Sequence, residues 1–265
     1  MPTFHSSGAS LHYETRGTGS PLLLLNGLGL DLSSWGPHAD ALARHHRVVL
    51  LDARGAGGSE SPEPPYSTAR LAEDALSLLE DLALGPVHVV GLSLGGLVAQ
   101  ELALLAPDRV KSLVLAASAA RLGARSRRLI DAWRRLVLAG VDREAFCREQ
   151  LAWVLGDDAL DQDATVEGWT RALLSGPAPS PRGFAGQAAA CVAHDTRERA
   201  ARIRAPALAL AGRDDAVVPV SASEALARLV PGARFAVLSG GHAFAIESAA
   251  GFGEAVEQFL ASVDA

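Results

Sequence analysis

The chain has 265 residues, 49% of them hydrophobic, which is enough to bury one sizeable core. Its formal net charge of −6 argues against non-specific nucleic-acid binding and gives no membrane-surface signal. Cys147 and Cys191 are too few for a disulfide framework and read as reduced, packed thiols.

The segment Met1-Pro2-Thr3-Phe4-His5 lacks a basic stretch leading into an apolar one, so no secretory signal is expected. No apolar run approaches the roughly 18 residues of a membrane span. A cytoplasmic protein is the expectation. Residues near 3–6 and 10–15 read as a hairpin around Gly8. Apolar runs then predict strands near 22–26, 47–52, 86–92 and 110–117. Helical patterns fit near 33–45, 67–83 and 95–106, with His45-His46 closing the first and Pro107 the last. The alternation resumes with a strand near 206–211, a helix near 221–230, a strand near 234–238 and a helix near 244–261. This pattern predicts an α/β protein with a mostly parallel eight-stranded sheet and helices on both faces.

Between about residues 121 and 203 strand patterns vanish and helical ones take over, with Trp133, Trp153 and Trp169 inside. Leu129, Ile130, Trp133, Leu136, Val137 and Gly140 share one face of a predicted helix from Gly123 to Gly140. Arg127, Arg128, Asp131, Arg134 and Arg135 fall mainly on the other, which reads as a solvated face. Arg121 and Arg125 stay as candidates for substrate contact. Ser175-Gly176-Pro177-Ala178-Pro179-Ser180-Pro181 reads as a semi-rigid connector dividing the segment.

Chemistry concentrates at Gly91-Leu92-Ser93-Leu94-Gly95, set between the apolar run Val87-His88-Val89-Val90 and a helical pattern. A Gly-x-Ser-x-Gly between strand and helix forms a sharp turn that lifts the serine hydroxyl clear of the sheet. It also aims the first, unsatisfied amides of the helix at the reaction centre. Downstream, the strand Ala207–Ala211 ends in Gly212-Arg213-Asp214-Asp215, and the strand Arg234–Leu238 ends in Ser239-Gly240-Gly241-His242. Ser93, then Asp214 or Asp215, then His242 is the order of a nucleophile, an orienting acid and a general base.

On these motifs the chain resembles the α/β-hydrolase superfamily, over nearly all of its length apart from the middle segment. Asn26-Gly27-Leu28-Gly29 follows the strand Leu22–Leu25 where such families often carry His-Gly, and the asparagine resembles the 3-oxoadipate enol-lactonase and small-molecule carboxylesterase branch. The resemblance implies the amides of Leu28 and Leu94 as oxyanion donors. It implies a bracing role for Asp52-Ala53-Arg54-Gly55-Ala56-Gly57-Gly58-Ser59. Its Gly-x-x-Asp-x-x-x-Pro pattern, counted from Gly212, favours Asp215 over Asp214. Residues 1–120 and 204–265 then correspond to an α/β-hydrolase core and 121–203 to an inserted all-helical cap. Asn26, Trp153 and Trp169 are candidates for the substrate pocket, the tryptophans being as well suited to packing the cap onto the core.

The resulting expectation is a serine hydrolase acting on a small-molecule carboxylic ester or lactone through an acyl-enzyme on Ser93. Hydrolytic carbon–carbon cleavage and cofactor-free perhydrolysis are alternatives on the same three residues. A hydrolase-fold receptor with little turnover is the non-enzymatic alternative. No cofactor or metal is expected. Gly55-Ala56-Gly57-Gly58 lacks the flanking residues of a phosphate cradle, and His194-Asp195 has no serine in a strand–turn context.

Overall fold

A computed structural model describes residues 2–176 and 178–265. Pro177 of the expected connector, and Met1, lie outside the described residues. Eight strands form one sheet: β1 (Thr3–Ser6), β2 (Ala9–Arg16), β3 (Ser20–Leu25), β4 (His46–Leu51), β5 (Val87–Leu92), β6 (Val110–Ala116), β7 (Ala207–Gly212) and β8 (Arg234–Leu238). Their spatial order is β1-β2-β4-β3-β5-β6-β7-β8. Among the described residues the β1–β2 and β2–β4 pairs are antiparallel and the remaining pairs are parallel.

The apolar runs are continuous because the central strands are covered on both faces. Successive side chains alternate between the faces. Leu23, Leu25, Val49, Leu51, Val89, Leu113 and Leu115 enter one buried cluster, while Leu22, Leu24, Val48, Leu50, Val90 and Val114 enter the other. The first cluster is completed by α2 (Thr68–Asp81), α3 (Leu94–Leu105) and α9 (Val220–Leu229). The second is completed by α1 (Gly36–Leu42), α10 (Phe244–Glu247) and α11 (Ala249–Asp264).

Between β6 and β7 come α4 (Ala124–Leu138), α5 (Arg143–Val154), α6 (Asp157–Leu160), α7 (Asp163–Ser175) and α8 (Pro181–Ala193), with no strand among the described residues. In α4, Ile130 and Trp133 are buried and Leu129 and Val137 partly so. Leu136 is instead 37% exposed, and Gly140 lies beyond the helix. Asp131 takes Arg134 and Arg135 on the outer side.

Two other helices differ from their periodicity. Residues 33–45 form a short 3-10 turn, Leu32–Trp35, before α1, because Gly36 sits at φ 30 and Pro37 has no N–H to continue a ladder. His46 does not close that helix; it opens β4 and is buried, while His45 is exposed in the turn before it. The final helix is broken at Ser248 (φ −114, ψ 46), which separates α10 from α11.

β3 leads to β4 on one side of the sheet and β5 pairs β3 on the other, so the carboxyl ends of β3 and β5 flank a crevice at the point where strand order reverses. No helix among the described residues is long and apolar enough to cross a membrane.

Candidate active site

Ser93 sits between β5 and α3 with φ 54 and ψ −112, a backbone region costing on the order of 1–3 kcal/mol for a side-chain-bearing residue. The turn is held because Ser93 N–H donates to Ala116 O at 2.8 Å. It is also too tight for side chains beside it, since a Cβ on Gly95 would stand 2.0 Å from Leu25 O. The hydroxyl is thereby presented at the sheet's carboxyl edge, 2.9 Å from His242 Nε2.

His242 and the acid come from the loops after β8 and β7. Arg213 N–H donates to Leu238 O and Asp214 N–H to Gly240 O, so the two loops are stitched by backbone. His242 Nδ1 lies 2.8 Å from Asp215 Oδ2. Asp215 Oδ1 accepts from Val217 N–H at 2.9 Å and Val218 N–H at 2.7 Å, which fixes the carboxylate's orientation. Asp215 is 6% exposed; Asp214 is exposed, and the carboxylate paired with the histidine is that of Asp215. With Nδ1–H donated to Asp215, Nε2 carries the lone pair that accepts from the Ser93 hydroxyl.

The loop after β3 runs alongside. Leu30 N–H donates to Gly27 O at 3.3 Å, closing a turn over Leu28 and Gly29. A Cβ on Gly27 would lie 3.7 Å from Ser93 Cβ, so this turn runs beside Ser93. Among the described residues, the N–H groups of Leu28 and Leu94 have no hydrogen-bond partner. Leu94 is the first residue of α3, where amides point out of the helix at its positive dipole end.

The loop from Asp52 to Ser59 is tied to the same turn without reaching the serine. Asp52 accepts from Leu32 N–H at 2.6 Å, Gly58 N–H at 2.8 Å and the His12 ring at 2.7 Å. Arg54 is buried and grips Asp74 with two bonds of 2.6 Å.

Ser93 and His242 open onto a cavity of about 630 Å³ with predominantly apolar walls, among them Leu97, Ile130, Trp133, Phe146, Trp169 and Phe184. Of the tryptophans expected there, Trp169 lines it. Trp153 does not: it packs on the core cluster and donates to Glu149 Oε1 at 3.1 Å. Asn26 also lies outside the lining, because its amide is consumed in the loop, donating to Asp31 O at 2.6 Å and accepting from Ser34 Oγ at 2.8 Å. Arg121 faces Asp195, and neither it nor Arg125 reaches the cavity. His194 is buried against Thr68 Oγ1 at 2.8 Å. Both cysteines line the cavity as unpaired thiols, and burial pushes Cys191 up to about 12 and raises Cys147, so neither is a thiolate near neutrality. Among the described residues no three His, Cys, Asp or Glu side chains come together as a metal site.

Three further residues belong to the site and carry no sequence motif. Arg143 is the arginine on the cavity wall, its guanidinium donating to Leu173 O and Gly176 O, both at 2.8 Å. Glu247 accepts from Gly241 N–H and Gly156 N–H, both at 2.9 Å, and so joins the histidine loop to the turn before α6. Gln187 on α8 reaches the loop after β3. Apart from the Glu247–Gly241 bond, their partners are 30 or more residues away in sequence, beyond what a local pattern can signal.

The α/β hydrolase fold family model matches residues 20–249. A protein of Azorhizobium caulinodans named "Putative carbamate hydrolase RutD" is 34% identical over 265 residues, covering 100% of both chains. The crystal structure of a hydrolase from Pseudomonas aeruginosa PA01 superimposes with a TM-score of 0.89 at 37% identity, covering 98% of this chain and 97% of that one. The enol-lactonase from Burkholderia xenovorans LB400 gives a TM-score of 0.90 at 30% identity, covering 98% and 100%.

Proposed function

The chain belongs to the α/β-hydrolase fold family, and from that premise we propose that it is a serine hydrolase cleaving small-molecule carboxylic esters or lactones. The observation that carries the reading is the run of contacts from Ser93 Oγ to His242 Nε2 (2.9 Å) and from His242 Nδ1 to Asp215 Oδ2 (2.8 Å) at the wall of an apolar cavity.

In the proposed reaction Ser93 Oγ adds to the carbonyl carbon as its proton passes to His242 Nε2. Asp215 holds the imidazole in the correct tautomer and stabilises the imidazolium. The carbonyl oxygen becomes an anion that, in this reading, accepts from the Leu28 and Leu94 amides, whose N–H groups have no other partner among the described residues. Collapse expels the alkoxide, which takes the proton from His242. Water then attacks the acyl-enzyme by the same route and releases the carboxylic acid, restoring the Ser93 hydroxyl.

The helices of residues 121–203 act in this reading as a cap whose Trp133, Phe146, Trp169 and Phe184 wall the cavity. Excluding water there strengthens the electrostatics around the nascent oxyanion. A cavity of about 630 Å³ sits within the range of pockets that bury a drug-sized ligand. A simple carbamate of a few heavy atoms would leave most of it empty. The size and the lining favour a bulkier, largely apolar acyl or alcohol group, open-chain or cyclised as a lactone.

Intact mass after a fluorophosphonate, run beside a panel of p-nitrophenyl esters of increasing chain length, tests the reading. One phosphonyl adduct on the wild type, absent in Ser93→Ala, with turnover lost in parallel, is the expected result. A folded wild type that neither labels nor turns over any ester would overturn it.

A further inference from the structure

Gln187 is 1% exposed, lies on α8, and uses both ends of its amide. Its Oε1 accepts from Gly29 N–H at 2.9 Å, and its Nε2 donates to Arg54 O at 2.9 Å. The two partners dictate the amide's orientation, since Gly29 N–H can only donate and Arg54 O can only accept. Arg54 is itself anchored by Asp74, so the acceptor end of this bridge rests on a buried ion pair.

The donor end matters more. Gly29 follows Leu28, whose N–H is the second oxyanion donor proposed above. The Gly27–Leu28 peptide is planar, and its carbonyl is taken by Leu30 N–H, so Leu28 N–H points the opposite way, out of the turn. Gly29 has φ +73, the sign required at the third position of a turn whose central peptide has the type II orientation. Reversing that central peptide would carry Gly29 N–H away from Gln187. The glutamine therefore holds the turn in this one form and tethers it to α8; the Leu30–Gly27 bond sets the direction of Leu28 N–H and the tether sets its place, while Phe184, one helical turn earlier on α8, closes against Gly29.

We infer that Gln187 is a positioning residue for the oxyanion site: by holding Gly29 N–H it fixes the place of the turn that presents Leu28 N–H, and so couples the seating of α8 to transition-state stabilisation at Ser93. The inference rests on the serine-hydrolase reading. It predicts a particular kinetic signature, because a donor misaimed by about 1 Å loses the oxyanion while leaving ground-state binding in the apolar cavity nearly intact.

The test is Gln187→Met, close in volume and apolar, with Gln187→Asn, which keeps the amide but withdraws it by one methylene, as the second variant should the first not fold. Steady-state hydrolysis of the preferred p-nitrophenyl ester is measured beside inhibition by a trifluoromethyl ketone. Its carbonyl accepts Ser93 Oγ reversibly, forming a hemiketal anion as the proton moves to His242. Expected is a fall in kcat of about tenfold or more, KM within about twofold, and a Ki for the ketone raised by the same factor as kcat/KM falls. Ser93→Ala runs in the same assay. If turnover survives in Ser93→Ala, the serine-hydrolase reading fails and the inference with it. If Ser93→Ala is inactive but a folded Gln187 variant matches wild type in kcat and Ki, the positioning role alone is wrong. A loss of kcat with no change in Ki, the signature of general destabilisation, also overturns it.

Discussion

The carboxylate oxygens of Asp215 are both occupied, one by His242 and one by the paired amides of Val217 and Val218, whereas Asp214, one residue earlier, is exposed. Asp215→Asn keeps the shape but offers an amide that either donates to Nδ1 or weakens its grip, so His242 adopts the wrong tautomer for accepting the serine proton. A kcat lowered by about 10⁴ is expected for Asp215→Asn, against a change within about twofold for Asp214→Asn. Parallel ester kinetics on the two variants decide this, and the reverse ranking would move the acid to Asp214. The tryptophans divide in the same local way. Trp169→Ala enlarges the cavity and is expected to shift preference toward longer acyl chains, while Trp153→Ala, off the lining, leaves the chain-length profile unchanged. At this scale the serine and histidine were legible because each sits inside a short local motif at a strand end. Gln187 was not, since its hydrogen-bond partners are 158 and 133 residues away. Asn26 stood out by its place after β3, but its short-range partners, Asp31 O and Ser34 Oγ, belong to the loop's own folding and carry no motif.

Among the elements, α8 is seated by backbone as well as by Gln187. A Cβ on Gly55 would fall 2.5 Å from Gly183 Cα, with φ +87 adding strain for any side chain there. Neither backbone can yield cheaply, so Gly55→Ala is expected to cost more than about 2 kcal/mol, above the usual price of a point change, with α8 lifted from the loop after β3. Urea unfolding monitored by tryptophan fluorescence measures the loss; an unchanged midpoint would mean the two glycines are not in the contact described. The sheet itself was easy to read, because strands covered on both faces must be apolar at every position, and Leu22–Leu25 and Val87–Val90 are almost uniformly so. The helices that departed from expectation did so at single residues that periodicity ignores. Gly36 and Pro37 shorten the first, and Ser248 divides the last. How α4 to α8 dock was beyond periodicity, which identifies an apolar stripe but not the surface it meets. Leu136, on the apparent stripe, faces outward.

For the whole molecule, the groups buried between elements set the response to pH. His194 closes α8 and is fully enclosed where α2, α3 and the segment before β7 converge. Thr68 Oγ1 lies 2.8 Å from Nδ1, Thr196 Oγ1 3.5 Å from Nε2, and Glu101 Oε1 3.7 Å from Nδ1. Desolvation dominates: burial lowers His194 to about 4, with Arg199 acting in the same direction and Glu101 and Asp195 only partly opposing it. An unfolded histidine titrates near 6.5, so between about pH 6.5 and about pH 4 the unfolded chain binds a proton that the folded chain refuses. Stability from this group is therefore complete above about pH 6.5 and is lost as pH falls through that window. Between about pH 7.5 and about pH 5 the loss comes to roughly 2 kcal/mol. His88, enclosed at the opposite end of the sheet, is lowered by the same desolvation and adds a loss of the same sign. Replacing His194 with Gln removes one titration and leaves the other. Urea midpoints for wild type and His194→Gln, each at about pH 7.5 and about pH 5, separate the contributions. The variant is expected to lose less stability than wild type over that interval, whatever its starting value. Equal losses would mean that His194 takes up its proton in the folded state and that acid sensitivity resides elsewhere in the core.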